Sequence, residues 1–152
     1  MTAAEIIQTM QAAGANPWRR EFVLDRDYAC PTEEYVQGDF AKWFWAEQHR
    51  LGLAVHKPES NDCDNFGLRA MVSFQVAHHL ASPNSRVGIA GGLFIYQPKT
   101  SPDLHLIFVA IIKGPDGKYR VRFFEPQPKD STFGIVELTQ EEIQSCEGYF
   151  FC

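Results

Sequence analysis

The sequence predicts an α+β fold, with helices in the first half and an antiparallel sheet in the second. Three observations carry this. Apolar residues recur at helical spacing in three stretches before residue 82. After residue 86, runs rich in Val, Ile, Phe and Tyr alternate with Gly, Pro and Asp. Between two of those runs Pro115-Asp116-Gly117 spells a tight hairpin turn, with Gly at the left-handed position. Helices followed by hairpin-connected strands make an α+β layout. At 152 residues, 45% hydrophobic and 22% charged, the chain reads as one domain spanning 1–152.

The elements follow in order. Residues 2–13 form a helix capped by Thr2 and stopped by Gly14, and Asn16-Pro17 breaks the chain. Residues 21–28 are a short, partly apolar stretch ending in an acidic loop with Asp25 and Asp27. Pro31-Thr32-Glu33-Glu34 starts a second helix, with Thr32 as cap and acids at the positive end of the dipole. That helix runs to about residue 51, where Gly52 ends it, and its stripe of Tyr35, Phe40, Trp43 and Phe44 reads as core. Residues 56–62 are a polar loop. A third helix covers 63–80, capped by Asp62 or Asn61 and ended by Ser82-Pro83-Asn84. Strands are predicted over 87–96, 104–112, 118–124 and 133–138, then a short helix from Thr139 and a last strand at 149–151.

Composition excludes some functions. A net charge of −5 argues against a general nucleic-acid binder, which carries a basic face. No apolar run approaches the roughly 20 residues that span a bilayer. The first residues lack the basic stretch of a secretory signal, so the expected location is cytoplasmic. Cys30, Cys63, Cys146 and Cys152 form no CxxC pair, which removes a zinc-ribbon reading. In a reducing compartment a disulfide framework is not expected.

Only Cys63 has surroundings that suggest chemistry. It sits at a predicted helix start, where the dipole and free N–H groups favour a thiolate. Asp62 and Asp64 oppose this, because neighbouring negative charge raises a thiol pKa, so a basic partner is needed. His78 and His79 lie far along the same helix, and His49 and His56 fall near the preceding helix end. His105 opens a long apolar strand. A three-residue hairpin loop pairs Gly114 with Lys118 and His105 with Gln127, making Glu125 the diagonal neighbour of His105. A two-residue loop would put His105 and Glu125 on opposite faces. In that register Cys63 attacks a carbonyl, His105 takes and returns the proton, and Glu125 orients the imidazole. Trp18, Trp43 and Trp45 are candidates to line a cleft or to fill the core.

The segment Asn61-Asp62-Cys63-Asp64-Asn65-Phe66-Gly67, then His105, then Phe124-Glu125-Pro126-Gln127, resembles the papain-like cysteine protease domain of certain mushroom agglutinins and kindred small phage and bacterial proteins. In that family a D-C-D-D-F-A stretch opens a helix, a His opens a strand and E-P-Q ends the next. The match runs from about Pro58 to Pro128. The resemblance implies a papain-like fold, with the Cys-bearing helix packed on the sheet. It implies a Cys63–His105–Glu125 triad, with Gln127 and Asp62 beside it. It also implies calcium, and no other cofactor is required. Apart from the resemblance, Asp25, Asp27, Asp62 and Asp64 are oxygen donors of the kind calcium prefers, with Asp62 and Asp64 flanking Cys63 as the candidate ligands. Asn65 and Gly67 depart from the family's Asp and Ala, which puts calcium in question and loosens the helix.

The expected function is a thiol hydrolase acting on a peptide or protein substrate. General protease, peptidoglycan peptide hydrolase and transglutaminase-like acyl transferase remain open, since the same triad serves all three. The alternative is a non-catalytic binding or assembly module, for instance phage-related, that keeps the fold without the chemistry. The oligomeric state is not legible.

Overall fold

The computed structural model describes residues 1–16, 20–55, 57, 62–127 and 133–152. The expectations placed on Pro17, Trp18, His56, Pro58, Asn61 and Pro128 lie outside the described residues.

Helix α1 (Ala3–Ala12) is closed at its start by a capping box between Thr2 and Glu5, and at its end by Gly14 at φ +101°. It buries Ile6 and Met10, each worth about 1.5–3 kcal/mol of removed apolar surface. Two short strands follow, β1 (Arg20–Val23) and β2 (Tyr28–Ala29). The helix expected from residue 32 to 51 is one run in three parts: α2 (Glu33–Tyr35), a π-helical turn (Val36–Phe40) and α3 (Ala41–Arg50). Thr32 accepts from the Tyr35 N–H at its start, and Gly52 at φ +70° ends it. Helix α4 (Cys63–Ala81) begins at Asp62, whose backbone N–H donates to the Asn65 side chain at 3.2 Å. Asn65 therefore closes the cap that an Asp would otherwise close.

The remaining elements are β3 (Gly88–Ile89), β4 (Gly91–Tyr96), β5 (His105–Lys113), β6 (Tyr119–Glu125), β7 (Gly134–Ile135), α5 (Gln140–Gln144) and β8 (Gly148–Phe151). Six strands form one sheet in the order β1-β8-β4-β5-β6-β7, antiparallel except where β1 lies parallel to β8. β2 and β3 make a separate parallel pair. The parallel pairings were not expected. They arise because the N-terminal segment reaches strands far along the chain, β1 meeting β8 and β2 meeting β3, long-range contacts that leave no local pattern. The strand expected over 133–138 shrinks to Gly134–Ile135.

β5 is the spine, with every residue from Ile107 to Ile112 buried. Its alternate side chains feed two cores. Ile107, Val109 and Ile111 join Phe94, Phe123, Tyr149, Phe151 and α1. Phe108, Ala110 and Ile112 join Phe40, Phe44, Phe66, Phe74 and Phe124 under α3 and α4. Phe40 is the hub of the second core, with ring centroids 4.6 Å from Phe74 and 5.3 Å from Phe133, both edge-on. Among the described residues, no helix is long and apolar enough to cross a membrane.

Candidate functional site

The hairpin sets the geometry. Gly117 takes φ +75°, its N–H donates to the Gly114 carbonyl, and the Gly114 N–H donates to the Lys118 carbonyl at 2.8 Å. Pairing runs from Lys113 opposite Tyr119 to Phe108 opposite Phe124. Continued outward, this register puts Glu125 opposite Ile107 and Gln127 opposite His105, as the three-residue loop requires. His105 Nε2 lies 2.7 Å from Glu125 Oε2. The other carboxylate oxygen, Oε1, accepts the backbone N–H of Gln127 at 3.0 Å. Gln127 thus holds Glu125 with its main chain. Tyr96, paired with His105 across β4, places its ring edge-on to the imidazole with centroids 5.9 Å apart. Sequence reasoning missed Tyr96. The alternation of β4 could have found it, given the β4–β5 register.

Cys63 is the first residue of α4. With Nε2 bonded to Glu125, Nδ1 is left to face the thiol. His105 is the strongest influence on Cys63 and lowers its pKa, helped by the backbone N–H of Leu106. Burial and the charge of Asp62 oppose this and lose. Reciprocally, Cys63 and then Glu125 raise His105 to about 9. A lowered thiol facing a raised imidazole shifts the proton they share from sulfur toward nitrogen. All four cysteines are free thiols. Burial raises the other three, Cys146 to about 12. Only Cys63 is acidified.

The other candidate histidines stand apart. His78 Nε2 lies 3.2 Å from the Val87 carbonyl, and the His49 ring sits 6.3 Å from that of Trp45. Trp45 is buried and Trp43 half-buried on the α3 side of the second core. Asp62 caps α4, and its carboxylate raises the pKa of Asp64 by hydrogen bonding. Two carboxylates pressed together are hard oxygen donors of the kind calcium takes, but a calcium site needs six to eight oxygens. Among the described residues, no group of three or more His, Cys, Asp or Glu is placed to hold a metal. Asp62 and Asp64 could supply two of those oxygens.

An apolar trough of about 360 Å³ lies between α4 and the sheet. Phe22, Leu68, Met71, Leu93, Ile95 and Leu106 form most of its wall. Leu106, whose backbone N–H acts on Cys63, is one of its lining residues. Gly67 lets this wall form, because a Cβ there would collide with the Leu106 side chain. The glycine read as loosening the helix packs closely on Leu106, whose side-chain end would have to shift to admit a Cβ.

No protein-family model matches the sequence, and a search of the curated proteins finds no relative. Two solved structures share the fold. PSL1a in complex with E64 superposes with a TM-score of 0.68 at 18% identity, covering 99% of this chain and 51% of that one. Polyporus squamosus lectin bound to the human-type influenza-binding epitope Neu5Aca2-6Galb1-4GlcNAc gives 0.67 at 18%, covering 99% and 49%. The chain spans about half the length of these solved chains.

These comparisons correct the expected function. The solved structures are named for a lectin, one with its sugar epitope, and neither is named as a protease or as holding a peptide substrate. The reading as a papain-like protease domain of the agglutinin type, a thiol hydrolase with a peptide or protein substrate and phage kin, is therefore set aside. The physical reason for the overreach is plain. A Cys–His–Glu arrangement defines which atom is nucleophilic, not which bond, if any, is broken. What persists of the resemblance is a likeness of fold.

Proposed function

We propose that residues 1–152 form a single-domain binding module that captures its ligand through Cys63. His105 holds the thiolate as its imidazolium partner, Glu125 orients the ring, and the trough at Leu106 receives an apolar part of the ligand. The observation that carries this is the selective acidification of Cys63 among four thiols, at a helix start and against a histidine raised to about 9. In the capture step the Cys63 sulfur forms a bond to an electrophilic carbon. The displaced electron pair leaves with the departing group or moves onto the ligand, and the imidazolium supplies its proton. The papain-like detail of the fold, with a helix-start cysteine against a strand-borne histidine, belongs to this reading.

The test is alkylation by iodoacetamide from pH 5 to 9, with each cysteine mapped by mass spectrometry. Cys63 is expected to label first and already below pH 7. If it labels no faster than Cys30 and Cys152, the capture reading fails. Because PSL1a occurs in complex with E64, E64 is the first ligand to try on the same preparation.

The likeness to a lectin bound to Neu5Aca2-6Galb1-4GlcNAc favours a sugar ligand as a second reading. Titration with that trisaccharide, followed by ligand-observed NMR, tests it directly. Absence of saturable binding by either this sugar or simple pyranosides removes it.

A further inference from the structure

Helix α4 turns Phe66, Ala70 and Phe74 into the second core. Its outer face departs from the pattern of a surface helix, which carries polar residues there. Leu68, Val72, Val76 and Leu80 recur every fourth residue and are 45%, 55%, 45% and 66% exposed. That spacing sets them in one line, about 18 Å long by the rise of the helix. The polar neighbours of the line are turned to their own protein. Arg69 lies over the Phe66 ring at 4.6 Å, and Gln75 exchanges two hydrogen bonds with the Ile89 backbone. His78 Nε2 lies 3.2 Å from the Val87 carbonyl, and Ser73 is half-buried. What α4 offers to solvent between Asp64 and His79 is mainly hydrocarbon.

Two depressions on the α3 side widen the line. Trp43 borders both, one with Leu51, Leu68 and Val72 and the other with Leu80. Charge stays beside them: Glu47 accepts from Arg50 Nε and Nη2 at 3.0 and 2.8 Å, and Asp39 borders the Leu80 depression. Contiguous exposed apolar surface with a polar rim marks an interaction site. The order of the side chains says which partner fits. Read from either end, the line is Leu, Val, Val, Leu. A twofold contact needs a surface complementary to itself. With two copies of α4 antiparallel about an axis between Val72 and Val76, Leu68 meets Leu80 and Val72 meets Val76 of the second copy. The same pairing lays the positive start of one helix, which carries Asp64, beside the negative end of the other, which carries His79. The exposed parts of the four residues, Trp43 and Leu51 come, over two copies, to on the order of 1,000 Å², the lower limit for a specific interface.

We propose that the outer face of α4 is the contact between two copies of this chain, a weak twofold dimer built on Leu68, Val72, Val76 and Leu80. The inference goes beyond the capture reading, and of these four residues only Leu68 also lines the apolar trough.

Sedimentation velocity of the full chain tests it, on wild type, Val72→Glu, Val76→Lys and an equimolar mixture of the two variants. An interface of this size holds weakly, so wild type is expected to be monomeric at about 1 μM and largely dimeric at about 200 μM. Val72 and Val76 are exposed, so both variants are expected to keep the far-UV circular dichroism of wild type. Each variant alone sets an unpaired charge against a valine in the dimer, and is expected to weaken association about tenfold or more. In the mixture the new acid faces the new base across the axis, and the dimer is expected to return. Wild type that stays monomeric at about 200 μM overturns the proposal. So does a dimer indifferent to Val72→Glu, which would lie elsewhere on the molecule, or a mixture no better than its components. Monomeric wild type that co-sediments with phosphatidylcholine vesicles would give the face to a lipid surface and likewise overturn the second copy.

Discussion

His105 and Glu125 are diagonal neighbours across β5 and β6, and their side chains close the offset to 2.7 Å. A carboxylate so placed raises the pKa of the imidazole and fixes which nitrogen faces Cys63. The proposed capture site therefore depends on a hairpin register set at Gly117, at the far end of both strands.

Removal of the base is the first prediction. In His105→Ala the Cys63 thiol loses its largest acidifying influence and keeps the opposing burial and Asp62 charge. Iodoacetamide labelling at pH 6.5 is expected to slow about tenfold or more. Cys30 and Cys152 serve as internal controls. Unchanged labelling of Cys63 would show that the helix start alone makes the thiolate.

Glu125→Gln probes orientation. The amide can still meet the imidazole but removes the charge that helps to raise His105. The midpoint of Cys63 labelling is expected to move to higher pH, by less than in His105→Ala. A midpoint identical to wild type would mean that Glu125 only fills space.

Much of this geometry was legible in the sequence, for reasons that are local. Thr2, Thr32, Asp62 and Thr139 cap helices because a side-chain oxygen can reach an N–H three residues on. Gly117 fixes the loop length, and the loop fixes which residues share a face. The legible part stops where partners are distant in the chain. Nothing near Phe22 announces that it lies parallel to β8, opposite Phe150. Nothing at Gly67 announces Leu106, 39 positions on by numbering. The burial of Gln48 was equally silent, since a glutamine in a helix reads as surface until its burial is known.

The Gly67–Leu106 contact makes a third prediction. Gly67→Ala puts a methyl group where the Leu106 side chain sits, an overpacking that typically costs about 1–3 kcal/mol. Because the Leu106 N–H also acts on Cys63, labelling is expected to slow in the same variant. The double variant Gly67→Ala/Leu106→Ala is expected to recover stability relative to the sum of the single changes, measured by urea denaturation. Simple additivity would show that the two sites do not couple.

Phe108 tests the second core. It packs against Phe74 at 5.1 Å and Phe133 at 5.9 Å and is fully buried. Phe108→Ala is expected to cost about 3–5 kcal/mol of unfolding free energy. A loss below about 1 kcal/mol would mean that the aromatic cluster collapses onto the vacancy.

The thiolate–imidazolium pair also leaves a signature in stability against pH. A histidine raised from 6.5 to about 9 binds more protons folded than unfolded across that window. Its contribution is full below 6.5 and is lost as pH rises toward 9. A thiol lowered from 9.0 does the reverse: its contribution is present above 9.0 and is lost as pH falls through the lowered value. Below 9.0, and above both 6.5 and the lowered thiol value, the folded pair carries its one proton on nitrogen, while the unfolded pair carries one on sulfur. The proton count is equal in the two states, so the pair makes no slope there. In Cys63→Ser the sulfur no longer compensates, and Glu125 still raises His105. The difference in unfolding free energy between wild type and Cys63→Ser, followed by urea denaturation, is therefore expected to grow as pH rises from 6.5. A difference that stays constant over that range would mean that sulfur and imidazole do not share a proton.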